Sequence, residues 1–341
     1  MAAERTTRER RIGILQQADF ATPSAADAAF ETLNYDAGSV IPNGNVVLNT
    51  HDITSTSGLI AKQSRAYTDA VSGLKSIAFS GTATKKALAP HFVAALQSVT
   101  EGATSPYQKT IVPAFNTSIV DFSSAGYLYT VATDNINGSD GIILESAVLG
   151  DFTFSVNPNA DGVARLAKIS GNWVGNEMNY NQNLSGSWVA ESFTGFYNNS
   201  TALAMDVATW ATLSSVCYKS YSLTINNNVT SDCRVAGKAN NYKFSPVITV
   251  NIVLPYDSNT YGLLNAYNSG TTGSIQLKVG TTGQDGYLSI LSYGRISATP
   301  FGTDGAYETI NLTQTVEFNT SASKSLEIVI ADDNDRSYSV A

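Results

Sequence analysis

Residues 139–175 read SDGIILESAVLGDFTFSVNPNADGVARLAKISGNWVG. Within them Asp140-Gly141, Gly150, Pro158 and Asp161-Gly162 bracket the runs Ile142–Leu149 and Asp151–Asn157, and Val163–Trp173 follows. Residues 285–318, DGYLSILSYGRISATPFGTDGAYETINLTQTVEF, repeat the punctuation. There Asp285-Gly286, Gly294, Pro300 and Asp304-Gly305 surround Tyr287–Tyr293, Arg295–Thr299 and Ala306–Phe318. Asp-Gly between apolar, alternating segments is a hairpin signal. The same β-pattern written twice predicts a mainly β chain built from two duplicated sandwich or barrel units.

The rest of the chain extends this pattern. In the second half, Ser220–Asp232 reads as a hairpin about Asn226–Asn228, Phe244–Leu254 as a strand, Ser258–Tyr267 as a short helix and Ser274–Val279 as a strand. In the first half, Val40–Ile53 reads as a hairpin turning at Pro42–Asn45, and Ala66–Phe79 as strand. Ala83–Val99 carries Leu88, Phe92, Ala95, Leu96 and Val99 on one helical face, with Thr84 as N-cap and Gly102 as the stop. Each unit thus has one flanking helix. The expected division is an N-terminal arm over 1–36, a first domain over 37–205 with a loop insertion at 101–139, and a second domain over 206–341. Within the arm, Gly13–Phe20 is expected to pair or dock and Ser24–Leu33 to form an Ala-rich helix. Residues 177–215 read as an aromatic, Asn-rich connector, and Leu326–Ile330 as the closing strand before an acidic tail.

Composition narrows the function. Of 341 residues 43% are hydrophobic and only 14% charged, so Asn, Ser, Thr and Gly must supply the polar surface. The net charge of −8 argues against a surface that grips DNA through clustered Lys and Arg. It suits a wall that phosphate passes without sticking. No apolar stretch is long enough for a bilayer-spanning helix, and no apolar leader follows Arg5–Arg11, so neither membrane nor secretory leader is expected. The Asn-x-Ser/Thr sequons are therefore expected to be unmodified.

Chemical motifs are sparse. Cys217 and Cys233 are either two buried free thiols or a pair facing across a hairpin, and their spacing fits no zinc motif. His51-Asp52 lacks the further ligands a metal phosphohydrolase needs, and His91 reads as a surface or half-buried helix residue. Gly270–Gly273 and Gly280–Gly283 read as hairpin loops rather than phosphate cradles. Neither metal nor cofactor is expected, and no enzyme activity. Glu145, Asp151, Glu308 and Glu317 on the strand runs are either paired carboxylates of a glycosidase or charges facing a lumen. Trp173, Trp188 and Trp210 are either core or a carbohydrate platform.

Several stretches resemble the tail tube protein of long-tailed, non-contractile bacteriophages. They are RIGILQQADFATPSAADAAFETL (Arg11–Leu33), YKSYSLTINNNV (Tyr218–Val229), the two duplicated stretches, and LEIVIAD (Leu326–Asp332). The doubled length is closer to the larger tube proteins of flagellum-seeking phages. The resemblance implies a structural virion protein, assembled in the host cytoplasm, whose copies pair strand to strand around a channel for DNA. Three chains would make a pseudo-sixfold disc, and discs would stack. Partners would be other copies, the tape measure and tail terminator proteins, and DNA in passage without specific binding. Alternating residues of Ile142–Asn157, Val163–Val174, Tyr287–Thr299 and Ala306–Phe318 would line the lumen, with Glu145, Asp151, Glu308 and Glu317 as its acids. The arm and the 101–139 insertion would bridge discs. The rival readings are a carbohydrate- or receptor-binding β-sandwich, a sandwich-type glycoside hydrolase, and another virion protein such as a decoration or contractile-tail tube protein.

Overall fold

A computed structural model describes residues 10–17, 22–44, 47–49, 53–54, 60–61, 67–69, 73–114, 127–135, 141–160, 166–184, 186, 188–189, 201–206, 213–231, 234–235, 238–239, 242–258, 260–298, 301–333 and 337–338. The first elements are β1 (Arg10–Gln16), β2 (Glu31–Leu33), β3 (Ile41–Asn43), β4 (Val47–Asn49), β5 (Ile53–Thr54), β6 (Ile60–Ala61), β7 (Tyr67–Asp69) and β8 (Lys75–Thr82). Then come α1 (Lys85–Leu96), β9 (Thr100–Glu101), β10 (Tyr107–Ile111), β11 (Tyr129–Asn135), β12 (Gly141–Val156), β13 (Lys168–Gly175) and β14 (Glu177–Gln182). β15 (Thr201–Asp206), β16 (Leu213–Val216), β17 (Ser220–Asn226), β18 (Arg234–Val235), β19 (Lys238–Ala239) and β20 (Val247–Pro255) follow. The chain closes with α2 (Gly262–Ser269), β21 (Thr272–Val279), β22 (Tyr287–Ala298), β23 (Phe301–Asp304), β24 (Tyr307–Val316) and β25 (Leu326–Asp332). Among the described residues nineteen strands join one antiparallel sheet, and β4–β7, β5–β6 and β18–β19 pair apart from it. The protein is mainly β with two short helices, as the alternating runs predict.

The two stretches that share the same punctuation fold as longer strands than their glycines suggest. β12 runs through Gly150 for 16 residues, and β22 runs through Gly294 for 12. At Gly150 the ladder skips from Leu149↔Trp173 to Asp151↔Asn172. A Cβ there would lie 2.5 Å from Val174 Cγ2, so the glycine permits a bulge and a close approach rather than a turn. The Asp304-Gly305 signal does mark a hairpin. Asp304 pairs with Tyr307 across it, and Gly305 has φ +62°.

Other local expectations yield to non-local pairing. Ser220–Asp232 is not a hairpin: β17 lies between β12 and β20. Buried Asn227 holds the chain there, donating from Nδ2 to the carbonyls of Ala95 at 2.9 Å and Leu149 at 2.8 Å. Among the described residues of Val40–Ile53, the two expected hairpin strands do not pair with each other. β3 pairs with β8, β4 pairs with β7, and Val40 is buried in the core. The Ala-rich helix over 24–33 gives way to a turn and then β2, because Phe30 packs with Ala132, Ile143 and Leu184. That burial outweighs the helix propensity of alanine.

Part of the expected arm is structural core. β1 pairs on one side with β11 and on the other with β2, burying Ile12 and Ile14. The insertion at 101–139, expected to be loop-rich with strands at Thr110–Ala114 and Tyr127–Ala132, does carry two such strands: β10, which pairs with β25, and β11, which pairs with β1 and β12. The expected connector 177–215 carries β14, β15 and β16.

The two helices differ in kind. α1 begins as expected, with Thr84 Oγ1 accepting from the Ala87 N–H, but it ends at Gln97 in the left-handed region rather than at Gly102. It packs against β12, β10 and β25, and Ala87 through Leu96 are buried all round. An enclosed helix replaces the one-faced helix expected. His91 is accordingly 0% exposed rather than a surface residue. α2 does flank the sheet, burying Leu263 and Ala266 against β22 and closing at Gly270.

Candidate functional site

Strand pairing builds a linear series across the molecule: β3, β8, β13, β12, β17, β20 and β24, ending in β22 with β23. Side chains alternate between two faces of such a series. One face carries Phe79, Phe152, Trp173, Leu223, Val250 and Leu312, all buried. The opposite face carries Ser80, Ser170, Thr153, Ser155, Ser222, Thr224, Asn251 and Thr313, none of them fully buried. Hydrogen bonds tie neighbours across it. Thr153 and Thr224 hydroxyls meet at 3.3 Å, Thr313 Oγ1 donates to Asn251 Oδ1 at 2.8 Å, and Lys168 Nζ donates to Thr82 Oγ1 at 2.9 Å. Small hydroxyl and amide groups thus line a shallow groove through Ser155, Ser222, Asn251 and Thr313.

Charge on this face is balanced among the described residues. Asp151 lies on β12, and Lys168 lies on the same face of the adjacent strand β13, opposite Ser155. Arg295 Nε meets Glu317 Oε2 at 3.1 Å, and Lys219 pairs with Asp304 at one end. Partial burial pushes the Asp151 carboxyl up from its ordinary range. The negative net charge of the chain is therefore not concentrated here.

The four nominated acids do not converge. Asp151 and Glu317 belong to the polar face. Glu145 lies on the early half of β12, where the strand pairs with β11 and β14, and its Oε1 accepts from Asn179 Nδ2 at 2.6 Å. Glu308 pairs with Thr303 at the far end of β24 and is exposed. Of the tryptophans, Trp173 is buried core and Trp188 packs on Phe30 with ring centroids 5.5 Å apart. Trp210, His51 and Asp52 lie outside the described residues. Cys217 is an exposed free thiol, and Cys233 lies outside the described residues.

His91 illustrates why a titratable residue need not be a site. Tyr35 O–H donates to His91 Nε2 at 2.6 Å, and Trp173 Nε1–H donates to Tyr35 Oη at 3.3 Å. His91 Nδ1–H donates to the Ala87 carbonyl. Its ring stacks on Phe152, with centroids 5.5 Å apart, and burial lowers its pKa to about 4. It is a neutral core histidine.

The strand-to-strand pairing of copies that the resemblance implies needs open edges, but the sequence does not identify which strands supply them. Among the described residues β3 pairs only with β8, and β23 only with β24. These edges carry large apolar side chains in water: Ile41 is 58% exposed and Phe301 62%. Unpaired edges of this kind invite another strand.

Such a sheet, with a polar face and two bare edges, describes a building block. The chain matches the phage tail tube protein family over residues 7–320 and belongs to it. No curated protein matches it significantly. The chain is therefore a structural, non-enzymatic component of the phage tail, in a family whose members assemble with themselves.

Proposed function

We propose that the chain is a duplicated tube subunit, that three copies close one ring, and that stacked rings form the channel for phage DNA. The observation that carries this reading is the register of the two halves. β3–β8, β8–β13 and β13–β12 are matched in order by β17–β20, β20–β24 and β24–β22. The match continues outward. β11–β12, β12–β14, β1–β11 and β1–β2 correspond to β21–β22, β22–β25, β15–β21 and β15–β16. Even the bulge recurs: Leu149↔Trp173 then Asp151↔Asn172 in one half, Ile296↔Gln314 then Ala298↔Thr313 in the other. α1 and α2 each follow the corresponding strand. On this reading the units run from β1 to β14 and from β15 to β25, so the boundary lies between Gln182 and Thr201.

Geometry favours three chains. Three eight-strand series would close a barrel of about 24 strands, roughly 50 Å across at the backbone for strands ~4.8 Å apart and tilted ~40°. Side chains on its inner face leave a bore of about 35–40 Å, with room for one duplex. Two series would leave only about 20 Å, too tight for hydrated DNA. The polar face would line that bore, with Asp151 and Glu317 as channel acids. Its small polar groups and paired charges would offer phosphate no basic patch to grip. The resemblance to non-contractile tubes supports a siphophage-type tail, in which tape measure and terminator proteins contact the tube.

Negative-stain microscopy of the concentrated protein tests this. Hollow rods with threefold rings are expected. Six chains per ring would refute the trimer, and a monodisperse monomer at millimolar concentration would refute the tube.

A further inference from the structure

One junction between the two halves is visible inside the chain. β12 pairs with β17 from Asp151↔Asn226 to Val156↔Tyr221. β22–β23 stands in the second half where β12 stands in the first, and β3 stands where β17 stands in the second. Those two strands are the bare ends of the series. We propose that β23 of one copy adds antiparallel to β3 of the next, in the register β12 and β17 already use, with Gly302 opposite Ile41 and Phe301 opposite Pro42. This rests on the ring-forming reading above and specifies its contact.

Equivalent positions support the register. Phe154 faces Ile169 on one side and Leu223 on the other, and it is 0% exposed. Phe301 faces Ile310 as Phe154 faces Ile169, yet it is 62% exposed. What Phe301 lacks is the strand that supplies Leu223. Pro42 holds that place on β3, facing Ile77 as Leu223 faces Val250. The same shift sets Gly302 and Ile41 where Ser155 and Ser222 pair. A proline on the open edge removes one donor, which disfavours indiscriminate strand pairing and leaves Phe301 burial a larger share of the contact. The two edges differ, so copies join head to tail, and closure of the ring removes both.

The test uses cysteine pairs in the full chain with Cys217→Ser and Cys233→Ser. Antiparallel partners have Cα atoms about 4.5–5.5 Å apart, within the roughly 4.4–6.8 Å reach of a disulfide. A Cβ at Gly302 meets only the side-chain ends of Asn311 and Thr309, which can rotate away. Ser155→Cys with Ser222→Cys is the intrachain control and should close without changing the mass on a denaturing gel. Ile41→Cys with Gly302→Cys, oxidised after assembly, should convert most of the chain into covalent multimers. Mixed single variants should give only dimers of one Ile41→Cys chain and one Gly302→Cys chain. Rods that form while this pair stays monomeric, with the control closed, overturn the junction and leave the tube standing. Failure of the unsubstituted protein to assemble at all overturns the tube reading and the junction with it. Phe301→Asp, at an exposed position, should leave the monomer folded and abolish rods; rods in normal yield would overturn the proposal.

Discussion

Acidification should destabilise this protein through His91, by an amount its surroundings define. The imidazole is enclosed by the rings of Tyr35, Phe79, Phe152 and Trp173, and no carboxylate is among these neighbours to stabilise a cation. Burial lowers its pKa from the ordinary 6.5 to about 4. Protonation would also set a second ring N–H against the Tyr35 hydroxyl that now donates to it. Between the two pKa values the unfolded chain binds a proton and the folded chain does not. Stability therefore falls as pH drops through about 6.5, and the loss is complete just below about pH 4. At ~1.4 kcal/mol per pKa unit the total is about 3 kcal/mol. Urea unfolding of the monomeric protein across this window, compared with His91→Gln, isolates the effect, because carboxylates common to both proteins cancel. The variant should be less stable near neutrality yet flatter in its pH dependence. Identical slopes in the two proteins would refute the assignment of a neutral buried imidazole.

Lys109 Nζ and Asp332 Oδ1 pair at 3.0 Å with both side chains almost fully buried, joining β10 to β25. Lys109→Met should cost about 3–5 kcal/mol in thermal unfolding, while Lys109→Met with Asp332→Leu should recover most of that. A Cβ at Gly294 would lie 2.0 Å from the Thr315 carbonyl oxygen, so Gly294→Ala should destabilise by roughly 2–4 kcal/mol. Gly283→Ala, in open space but at φ +76°, should cost only about 1 kcal/mol in the same denaturation assay. Asn251→Lys with Thr313→Lys should change monomer stability by no more than about 0.5 kcal/mol. Assembled tubes carrying both should retain DNA in a salt-dependent manner, and an absence of retention in a filter assay would place that face outside the channel.

Much of the fold is legible in local chemistry. The alternating runs at 141–156 and 287–298, the Asp304-Gly305 turn and the Thr84-capped helix all depend on residues near one another in sequence. The errors share one cause. Asn226–Asn228 looks like a hairpin tip until Asn227 is seen holding the carbonyls of Ala95 and Leu149. Ser24–Leu33 looks helical until Phe30 is seen filling a pocket made by β11 and β12. His91 looks half-buried until β10 and β25 are seen covering the outer side of α1. In each case a partner more than sixty residues away decides the outcome, and turn chemistry and propensity contain no record of it.

The open edges carry the same lesson further. On the proposed duplication Phe154 and Phe301 occupy equivalent alternating positions, and each faces an isoleucine, Ile169 and Ile310. Neither local sequence nor strand propensity distinguishes them. Only the strand on the far side does, and among the described residues no strand pairs with β23 on that side of Phe301. An apolar side chain left in water at a position where its twin is wholly buried costs solubility without adding to the stability of the monomer. Its retention makes physical sense when the covering strand comes from another copy. On the proposed junction, the exposed phenylalanine is the trace, within one chain, of a sheet that is continuous only in the ring.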